Sequence, residues 1–282
     1  MITLTTTTLP DPPGLVVDQF RVAGGGPTAL VLPGFGRTAD EFFFFTALLL
    51  HNGLSVVVAD FRHHPGRSSG DILGFTVSEQ ARDIVALLGA FGPDVVLATS
   101  LSFRSALRAL AETPSASTLV GIVPVVSLIN TCTVVTGIDW HEAQHDLDHQ
   151  PRVLDVDGFA VGIALVEDAL EHDLATSESS CVDVARVAGP VHLVAGSSDP
   201  WVDAVDLRSL ADAAGCDVTT LDGAGHDFSR SLRRARTLFT TAAGRAIAGR
   251  SAEVRSPLLN DVIEARAELL LEGSTTRLDV GA

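Results

Sequence analysis

The hydrophobic pattern of this chain alternates between two periods. Short runs rich in Val, Leu and Ala, bounded by Gly, Pro or Asp, predict buried β-strands. Stretches with apolar residues at three- and four-residue spacing predict helices between most of these strands. The predicted strands cover residues 15–22, 28–33, 54–59, 94–99, 118–126, 190–196 and 217–221, and the predicted helices cover about 38–52, 78–91, 101–113, 202–214 and 228–247. This alternation predicts an α/β fold with a mostly parallel, doubly wound sheet covered by helices on both faces.

The alternation is interrupted between Ser127 and Gly189. This interval is rich in Asp and His, has few β-branched runs and contains a helical pattern from Phe159 to Ala175. We therefore expect a cap inserted over the carboxyl edge of the sheet, where open α/β sheets bind their ligands. The predicted organisation is a core of residues 1–126 and 190–250, a cap of residues 127–189, and a C-terminal helical tail of residues 251–282 packed on the core, with an amphipathic helix near residues 258–271.

A serine stands at the junction between a predicted strand and a predicted helix. The apolar run Val95–Thr99 ends at Ser100, and a helical pattern begins at Leu101. This arrangement is typical of a nucleophile elbow, a strained turn that lifts a serine oxygen above a parallel sheet. Ala98 and Ser102 occupy the two positions at which the elbow usually has glycine. Taken alone, the segment is also compatible with a strand followed by an ordinary serine helix cap.

An acid and a histidine follow this serine along the chain. Asp199 comes just after the strand at 190–196, and His226 lies in a glycine-containing loop after the strand at 217–221. Separately, Asp199 fits a helix cap and His226 fits a loop histidine. Together, Ser, Asp and His stand in the chain order of the α/β-hydrolase triad. The histidine would take the proton of the serine, and the aspartate would orient the imidazole and stabilise its charged form. The sequence therefore predicts a catalytic triad of Ser100, Asp199 and His226.

The oxyanion of such a reaction needs hydrogen-bond donors that already point at it. The backbone N–H of Leu101, next after the nucleophile, is one expected donor. The other is the backbone N–H of Phe35, in the glycine-containing loop after the strand at 28–33. Without the elbow, that loop would fit a plain glycine-rich turn.

Composition agrees with a compact enzyme of 282 residues, 46% of them hydrophobic. Its most apolar stretch, Phe42–Leu50, is far shorter than the roughly 20 residues of a membrane span. Residues 1–14 lack the basic residues and apolar core of a secretory signal. The cysteines are Cys132, Cys181 and Cys216. Their odd number and wide spacing favour reduced thiols, and hence a cytoplasmic protein.

The net charge of −16 argues against nucleic acid or an anionic membrane as a partner. The arginines are nevertheless unevenly placed. Each of them alone is typical of a solvated surface, but as a group near the expected site they would suit a phosphate or an acidic carrier. The clustered arginines are Arg62 and Arg67 after an early strand, and Arg230, Arg233, Arg234 and Arg236 after the histidine of the triad.

A second motif resembles a zinc site. His141-Glu142-Ala143-Gln144-His145 matches the HExxH pattern of zinc proteases, and His149 adds a third histidine. The polar residues that surround it argue against the packed helix of a zinc protease, and no glycine-bearing extension supplies a distant ligand. We therefore expect no catalytic metal.

Several motifs together resemble the bacterial bioluminescence acyl transferases, which are myristoyl-carrier thioesterases. The segment Ala98–Arg104 is close to the ASLSAR elbow of that family. The similarity runs from about residue 28 to beyond 230. The other shared positions are Gly34-Phe35 with Asp40 and Phe43, His63-His64 with Gly66, Ser68, Ser69 and Gly70, Val125–Leu128, Gly137–Asp139, Asp199 with Trp201-Val202, and His226-Asp227.

The resemblance implies an α/β-hydrolase whose nucleophile, acid and base fall on Ser100, Asp199 and His226. It implies serine-dependent acyl transfer from a carrier-protein thioester, through an acyl-serine intermediate, with release of a fatty or polyketide acyl chain. No cofactor of the protein itself is expected, because phosphopantetheine would arrive on the carrier-bound substrate. The residues expected to bind the substrate or its acyl carrier protein are Arg104, Arg230, Arg233 and Arg234.

Two other functions stay open at this stage. A chain-releasing cyclase would let an internal nucleophile capture the acyl group as a lactone, lactam or carbocycle. Dieckmann cyclases that close tetramate rings are similar hydrolase-like proteins, but that resemblance implies a cysteine nucleophile and an acid after the following strand, where this chain has Ser100 and Ser127. A binding protein that kept the hydrolase fold without catalysis is the third hypothesis. The intact Ser, Asp, His set argues against it.

Overall fold

A central sheet organises the protein. In a computed structural model, residues 2–226, 232–246 and 277–278 are described, with the backbone alone at 232–235 and 277–278. The strands are Ile2–Leu9 (β1), Leu15–Val22 (β2), Thr28–Leu32 (β3), Ser55–Asp60 (β4), Val95–Thr99 (β5), Thr118–Ile122 (β6), Val153–Val156 (β7), Phe159–Gly162 (β8), Val191–Gly196 (β9), Val218–Leu221 (β10) and Arg277–Leu278 (β11).

All of these strands except β7 and β8 join one sheet, in the order β10-β9-β6-β5-β3-β4-β2-β1-β11. The strands from β10 to β4 in this order are parallel, whereas β2, β1 and β11 pair antiparallel. Strands β4 and β5 are buried at every position, as expected for parallel strands covered on both faces. The predicted α/β fold with a mostly parallel, doubly wound sheet is confirmed.

Helices cover both faces of the sheet. They are Phe43–His51 (α1), Val77–Phe91 (α2), Leu101–Glu112 (α3), Leu128–Thr136 (α4), Trp140–Ala143 (α5), Ala164–Glu171 (α6), Ser177–Val184 (α7), Ala204–Ala214 (α8) and Leu232–Ala246 (α9). One apolar core packs the sheet against α2, α3 and α8, and a second packs its other face against α1 and α9. Among the described helices, none combines the length and the apolar character needed to cross a bilayer.

The segment between β6 and β9 holds helices α4 to α7 and the antiparallel hairpin β7–β8. Its apolar side chains, among them Trp140 and Leu165, belong to a third core cluster. The helix expected from Phe159 to Ala175 is wrong in its first part, because Phe159–Gly162 is strand β8 and helix α6 begins at Ala164. The cause is the preceding turn Asp157-Gly158, where φ values of 52° and 82° suit a two-residue hairpin turn.

Three further departures concern the ends of elements. Strand β1 is missing from the sequence prediction, because it is mostly threonine and lacks an apolar alternation. The strand expected at 118–126 ends at Ile122, since Val123 has a φ of 43° and Pro124 has no N–H for the ladder. The expected helix near 258–271 lies outside the described residues, as does the rest of the tail except β11, which pairs with β1.

Candidate active site

Ser100 occupies a strained turn between β5 and α3. Its φ of 54° and ψ of −126° lie outside the regions that non-glycine residues normally adopt, and such strain costs on the order of 1–3 kcal/mol. Two hydrogen bonds hold the turn. The Ser100 N–H donates to the Ile122 carbonyl over 2.9 Å, and the Val125 N–H donates to the Ser100 carbonyl over 3.2 Å. A Cβ at Gly34 would lie only 3.2 Å from the Ser100 Cβ, so the absence of a side chain there lets the two loops approach.

Two neighbouring loops bring the acid and the histidine to the same edge of the sheet. Asp199 lies in the loop after β9, and His226 lies in the loop after β10. A Cβ on Gly196 would stand 2.1 Å from the Ala224 carbonyl oxygen, so this close approach requires glycine. The Ser198 N–H donates to the same carbonyl over 2.9 Å. The two loops are therefore fixed relative to each other before any substrate binds.

The three predicted residues form a continuous hydrogen-bonded chain. His226 Nδ1 lies 2.8 Å from Asp199 Oδ2, and His226 Nε2 lies 2.7 Å from Ser100 Oγ. Because a carboxylate only accepts hydrogen bonds, Nδ1 carries the proton and donates to Asp199. Nε2 is then the free acceptor, and Ser100 Oγ–H donates to it. This is the tautomer in which His226 is able to take the serine proton.

The surroundings of the acid and the histidine restrict their movement. The Asp199 side chain is 1% exposed and that of His226 is 7% exposed. The second carboxylate oxygen of Asp199 accepts from the Trp201 N–H over 2.9 Å. The Trp201 ring lies against the imidazole, with ring centroids 4.2 Å apart and the planes inclined by 34°. The imidazole is therefore confined between Asp199, Trp201 and the serine.

Ser100 and His226 face a pocket of about 910 Å³, part of it open to solvent. Phe35 and Leu101 line the same pocket, so the structure brings both expected oxyanion donors to the neighbourhood of the serine. Their role in catalysis stays a prediction. The segment between β6 and β9 contributes apolar side chains from α4, α6 and the β7–β8 hairpin to this pocket, namely Leu128, Cys132, Val135, Val156 and Leu165.

The sequence matches a known family over most of its length. Residues 22–275 fit the acyl transferase family. This chain belongs to the acyl transferase family. Over 253 residues it is 29% identical to an acyl transferase of Photobacterium phosphoreum, and the match covers 86% of this chain and 81% of that protein. The family resemblance carried by the sequence motifs is confirmed.

The fold of this chain is shared with solved α/β-hydrolases. Est1E from Butyrivibrio proteoclasticus matches with a TM-score of 0.63 at 16% identity, over 86% of this chain and 98% of that one. A monoacylglycerol lipase from Paleococcus ferrophilus matches with a TM-score of 0.62 at 17% identity, over 82% of this chain and 99% of that one. The predicted α/β-hydrolase fold is confirmed. Family and fold together make the protein an enzyme of acyl transfer or acyl hydrolysis.

Arg104 has a structural position in the protein. Its side chain is fully buried, and Nη1 donates to Asp183 Oδ2 over 2.7 Å. Its other nitrogens donate to the Leu174 and Asp173 carbonyls over 3.1 and 3.0 Å. Burial lowers the pKa of the guanidinium, and the charge of Asp183 opposes this shift. The assignment of Arg104 as a substrate- or carrier-binding residue is wrong, because no partner reaches it without unfolding this contact between α3 and α7.

The other clustered arginines divide into two groups. Arg62 pairs with Asp83, with 2.7 Å between Nη2 and Oδ1, and Arg67 bridges Asp18 and Asp60, each at 2.7 Å. These two arginines therefore link elements of the fold. Of the second group, Arg230 lies outside the described residues, and Arg233 and Arg234 are described by their backbone in the first described turn of α9. Arg236, on the same helix, is exposed.

The zinc-like histidines do not converge. Helix α5 ends at Ala143, so His141 and His145 do not share a helix face. His141 Nε2 lies 2.8 Å from Asn130 Oδ1, and His149 interacts with a neighbouring aspartate on the surface. In the part of the chain that the structure describes, no group of three or more His, Cys, Asp or Glu side chains is placed to hold a metal ion.

Sequence reasoning missed the contribution of the β7–β8 hairpin to the site. Val156 and Asp157 line the pocket, and Phe159 packs on the loop after β3. A Cβ at Gly36 would lie 2.4 Å from the Phe159 ring, and the Phe35 and Phe159 rings meet edge to face at 5.8 Å. The Asp157-Gly158 dipeptide was the signal available for this hairpin.

Proposed function

We propose that this acyl transferase accepts an acyl group from a carrier-protein thioester onto Ser100 and then releases the chain. One observation carries the proposal: the hydrogen-bonded chain from Asp199 through His226 to Ser100 opens into an apolar pocket. An activated serine is the group that such a chain produces. The apolar lining suits the hydrocarbon part of an acyl chain.

Acylation begins when Ser100 Oγ attacks the thioester carbonyl carbon while His226 Nε2 takes the hydroxyl proton. The carbonyl oxygen becomes the oxyanion of a tetrahedral intermediate, and Asp199 stabilises the imidazolium that forms. The C–S bond then breaks as the carbonyl re-forms. His226 returns the proton to the departing sulfur, so the carrier leaves as a free thiol and the acyl group remains on Ser100.

The oxyanion would be stabilised by the backbone N–H groups of Phe35 and Leu101. Leu101 is the first residue of α3, so its N–H belongs to the helix end where the dipole favours negative charge. Removing one such donor typically lowers turnover by on the order of 100- to 1000-fold. Both donors are backbone groups, so their position depends on loop structure.

Release repeats these steps with a second nucleophile. Water, or a hydroxyl, amine or acidic C–H group of the acyl chain or an acceptor, attacks the carbonyl carbon of the acyl-Ser100 ester while His226 Nε2 takes the proton of the attacking group. The bond between the carbonyl carbon and Ser100 Oγ then breaks, and His226 gives that proton to Ser100 Oγ. Water gives the free acid, and an internal nucleophile gives a ring. In this scheme the protein needs no cofactor of its own, since phosphopantetheine is part of the carrier-bound substrate.

The carrier is proposed to dock beside α9. The protein has a net charge of −16, so an acidic carrier is repelled at long range unless it meets a local positive patch. Arg233 and Arg234 stand in the first described turn of α9, shortly after His226 in the chain. Together with Arg230 and the exposed Arg236, they are the residues proposed to supply such a patch, which we call the carrier-docking patch.

Intact-protein mass spectrometry tests the proposal. The purified enzyme is mixed with a panel of acyl-carrier thioesters, and we expect a mass increase equal to one acyl group, located on Ser100 by peptide mapping. Ser100→Ala should remain unmodified with an unchanged thermal melting profile. The released product distinguishes acid from ring. Modification at another residue, or normal turnover by Ser100→Ala, would contradict the serine mechanism.

A further inference from the structure

A buried polar network joins the helix that follows Ser100 to the loop that carries Phe35. Ser102 Oγ donates to the Pro33 carbonyl in this loop, and Gln80 Nε2 from α2 donates to Ser102 Oγ over 2.9 Å. Gln80 Oε1 accepts in turn from Ser105 Oγ over 2.7 Å. The three polar side chains are at most 2% exposed, so bulk water does not compete for these hydrogen bonds.

This network anchors the loop after β3 at the Pro33 carbonyl, two residues before Phe35. The next peptide unit is fixed at its oxygen, because the Arg37 N–H donates to the Gly34 carbonyl over 3.1 Å. The Gly34 carbonyl and the Phe35 N–H belong to the same planar, trans peptide unit, so their directions are opposite. Anchoring the Pro33 and Gly34 carbonyls therefore sets the direction of the Phe35 N–H.

Ser102 adds an anchor that a glycine elbow lacks. Where the elbow of α/β-hydrolases usually has glycine, this chain has a hydroxyl that donates to the loop after β3 and accepts from α2. Ser102 is two residues from Ser100, so the hydrogen bond connects the helix that follows the nucleophile directly to the loop that carries Phe35.

We propose that Ser102 is a positioning residue that holds the Phe35 N–H in register with Ser100 Oγ for oxyanion stabilisation. The inference rests on the proposed serine mechanism and adds a residue to it. Ser102 does not touch substrate; it acts through the Pro33 carbonyl. Losing the hydroxyl should therefore weaken binding of the transition state more than binding of the substrate.

The test compares two inhibitors that share one alkyl chain. A trifluoromethyl ketone forms a tetrahedral adduct with an activated serine and carries an oxyanion, whereas the matching methyl ketone binds as an uncharged carbonyl. For Ser102→Ala and Ser102→Gly we expect the preference for the trifluoromethyl ketone to fall by about tenfold or more. We expect kcat on a short acyl thioester to fall about 10- to 100-fold, with KM changing less than about threefold.

Ser105→Ala is the matched control, because Ser105 is equally buried in the same network but does not reach the loop. It should lose stability yet keep the inhibitor preference and kcat. Unchanged preference in both Ser102 variants, or an equal loss in Ser105→Ala, would overturn the proposal. If the wild-type enzyme shows no preference for the trifluoromethyl ketone, the serine mechanism itself is wrong. If the wild-type enzyme shows the preference and both Ser102 variants keep it in full, the serine mechanism stands and only the positioning role of Ser102 is wrong.

Discussion

We predict that His64 makes the protein less stable to unfolding as the pH falls from 6.5 towards 4. The imidazole is buried after β4 among Phe35, Phe61 and Phe75, and its centroid lies 4.6 Å from that of the Phe75 ring. Its Nδ1 lies 3.2 Å from the Arg62 carbonyl, which only accepts, so Nδ1 carries the proton. Nε2 has no hydrogen-bond partner among the described residues. A proton there would introduce a charge without an acceptor.

The size of the effect follows from the pKa of His64, which burial lowers from 6.5 to about 4 against the opposing effect of the Arg62 carbonyl. The unfolded chain binds a proton near pH 6.5 and the native state binds it only near pH 4, so the free energy of unfolding falls as the pH falls through this window. At about 1.4 kcal/mol per pKa unit, the loss is about 2 kcal/mol at pH 5 and approaches about 3 kcal/mol below pH 4. Above about pH 7.5 the imidazole is almost entirely neutral in both states and contributes little pH dependence.

Urea unfolding at about pH 7.5 and about pH 5 measures this contribution. The carboxylates of the protein also titrate towards low pH, so the informative quantity is the difference between wild type and His64→Phe, which has no titrating group at this position. The stability lost between the two pH values should be about 2 kcal/mol smaller in His64→Phe. The control is His145→Gln, which removes an exposed histidine from the segment between β6 and β9. Its loss of stability between the two pH values should equal that of the wild type. If His64→Phe loses as much stability as the wild type, the argument from the buried imidazole is refuted.

Two further predictions concern the arginines. Arg104→Met should lower the free energy of unfolding by about 3 kcal/mol in urea titrations, because it leaves the Asp183 carboxylate buried beside one remaining arginine; unchanged stability would mean that the buried pair is not formed. Replacing Arg233 and Arg234 together by Glu should raise KM for carrier-bound substrate and weaken its salt dependence, while a small thioester, which never meets the carrier-docking patch, is turned over as before. Equal losses on both substrates would show that these arginines support the fold or the pocket instead.

The three residues of the hydrogen-bonded chain were predictable because of where the sequence places them. Ser100 and Asp199 each follow a strongly apolar strand, His226 follows a shorter β-branched one, and β5, β9 and β10 are parallel. The carboxyl ends of parallel strands meet at one edge of a sheet, so strand prediction alone brings the loops together. The order of the residues in the chain then restricted the chemistry. Neither step needed knowledge of side-chain packing.

The burial of Arg104 could not be predicted from the sequence in this way. Its place in a helical stretch of mixed polar and apolar residues is equally compatible with an exposed cation and a buried one. The difference is made by Asp183, which lies in α7 and is 79 residues away in the chain. A buried charge is tolerated only when such a partner is present, and local sequence carries no signal for a partner at that distance. The hairpin in the cap was missed for a different reason: its turn, Asp157-Gly158, was readable from local sequence, but the residues after it were assigned to a helix from Phe159.

The loop after β3 has one feature that local sequence predicts and one that only distant contacts determine. Its sequence predicts a glycine-containing turn and nothing about the direction of its N–H groups. In the structure, Ser102 holds this loop from α3, His64 packs edge to face on the Phe35 ring at 5.6 Å, and Phe159 fills the space beside Gly36. These contacts come from three separate regions of the chain, one of them in the cap. The conformation of the expected oxyanion donor is therefore a property of the assembled fold, and substitutions at Phe159 act on the same loop as substitutions beside the nucleophile.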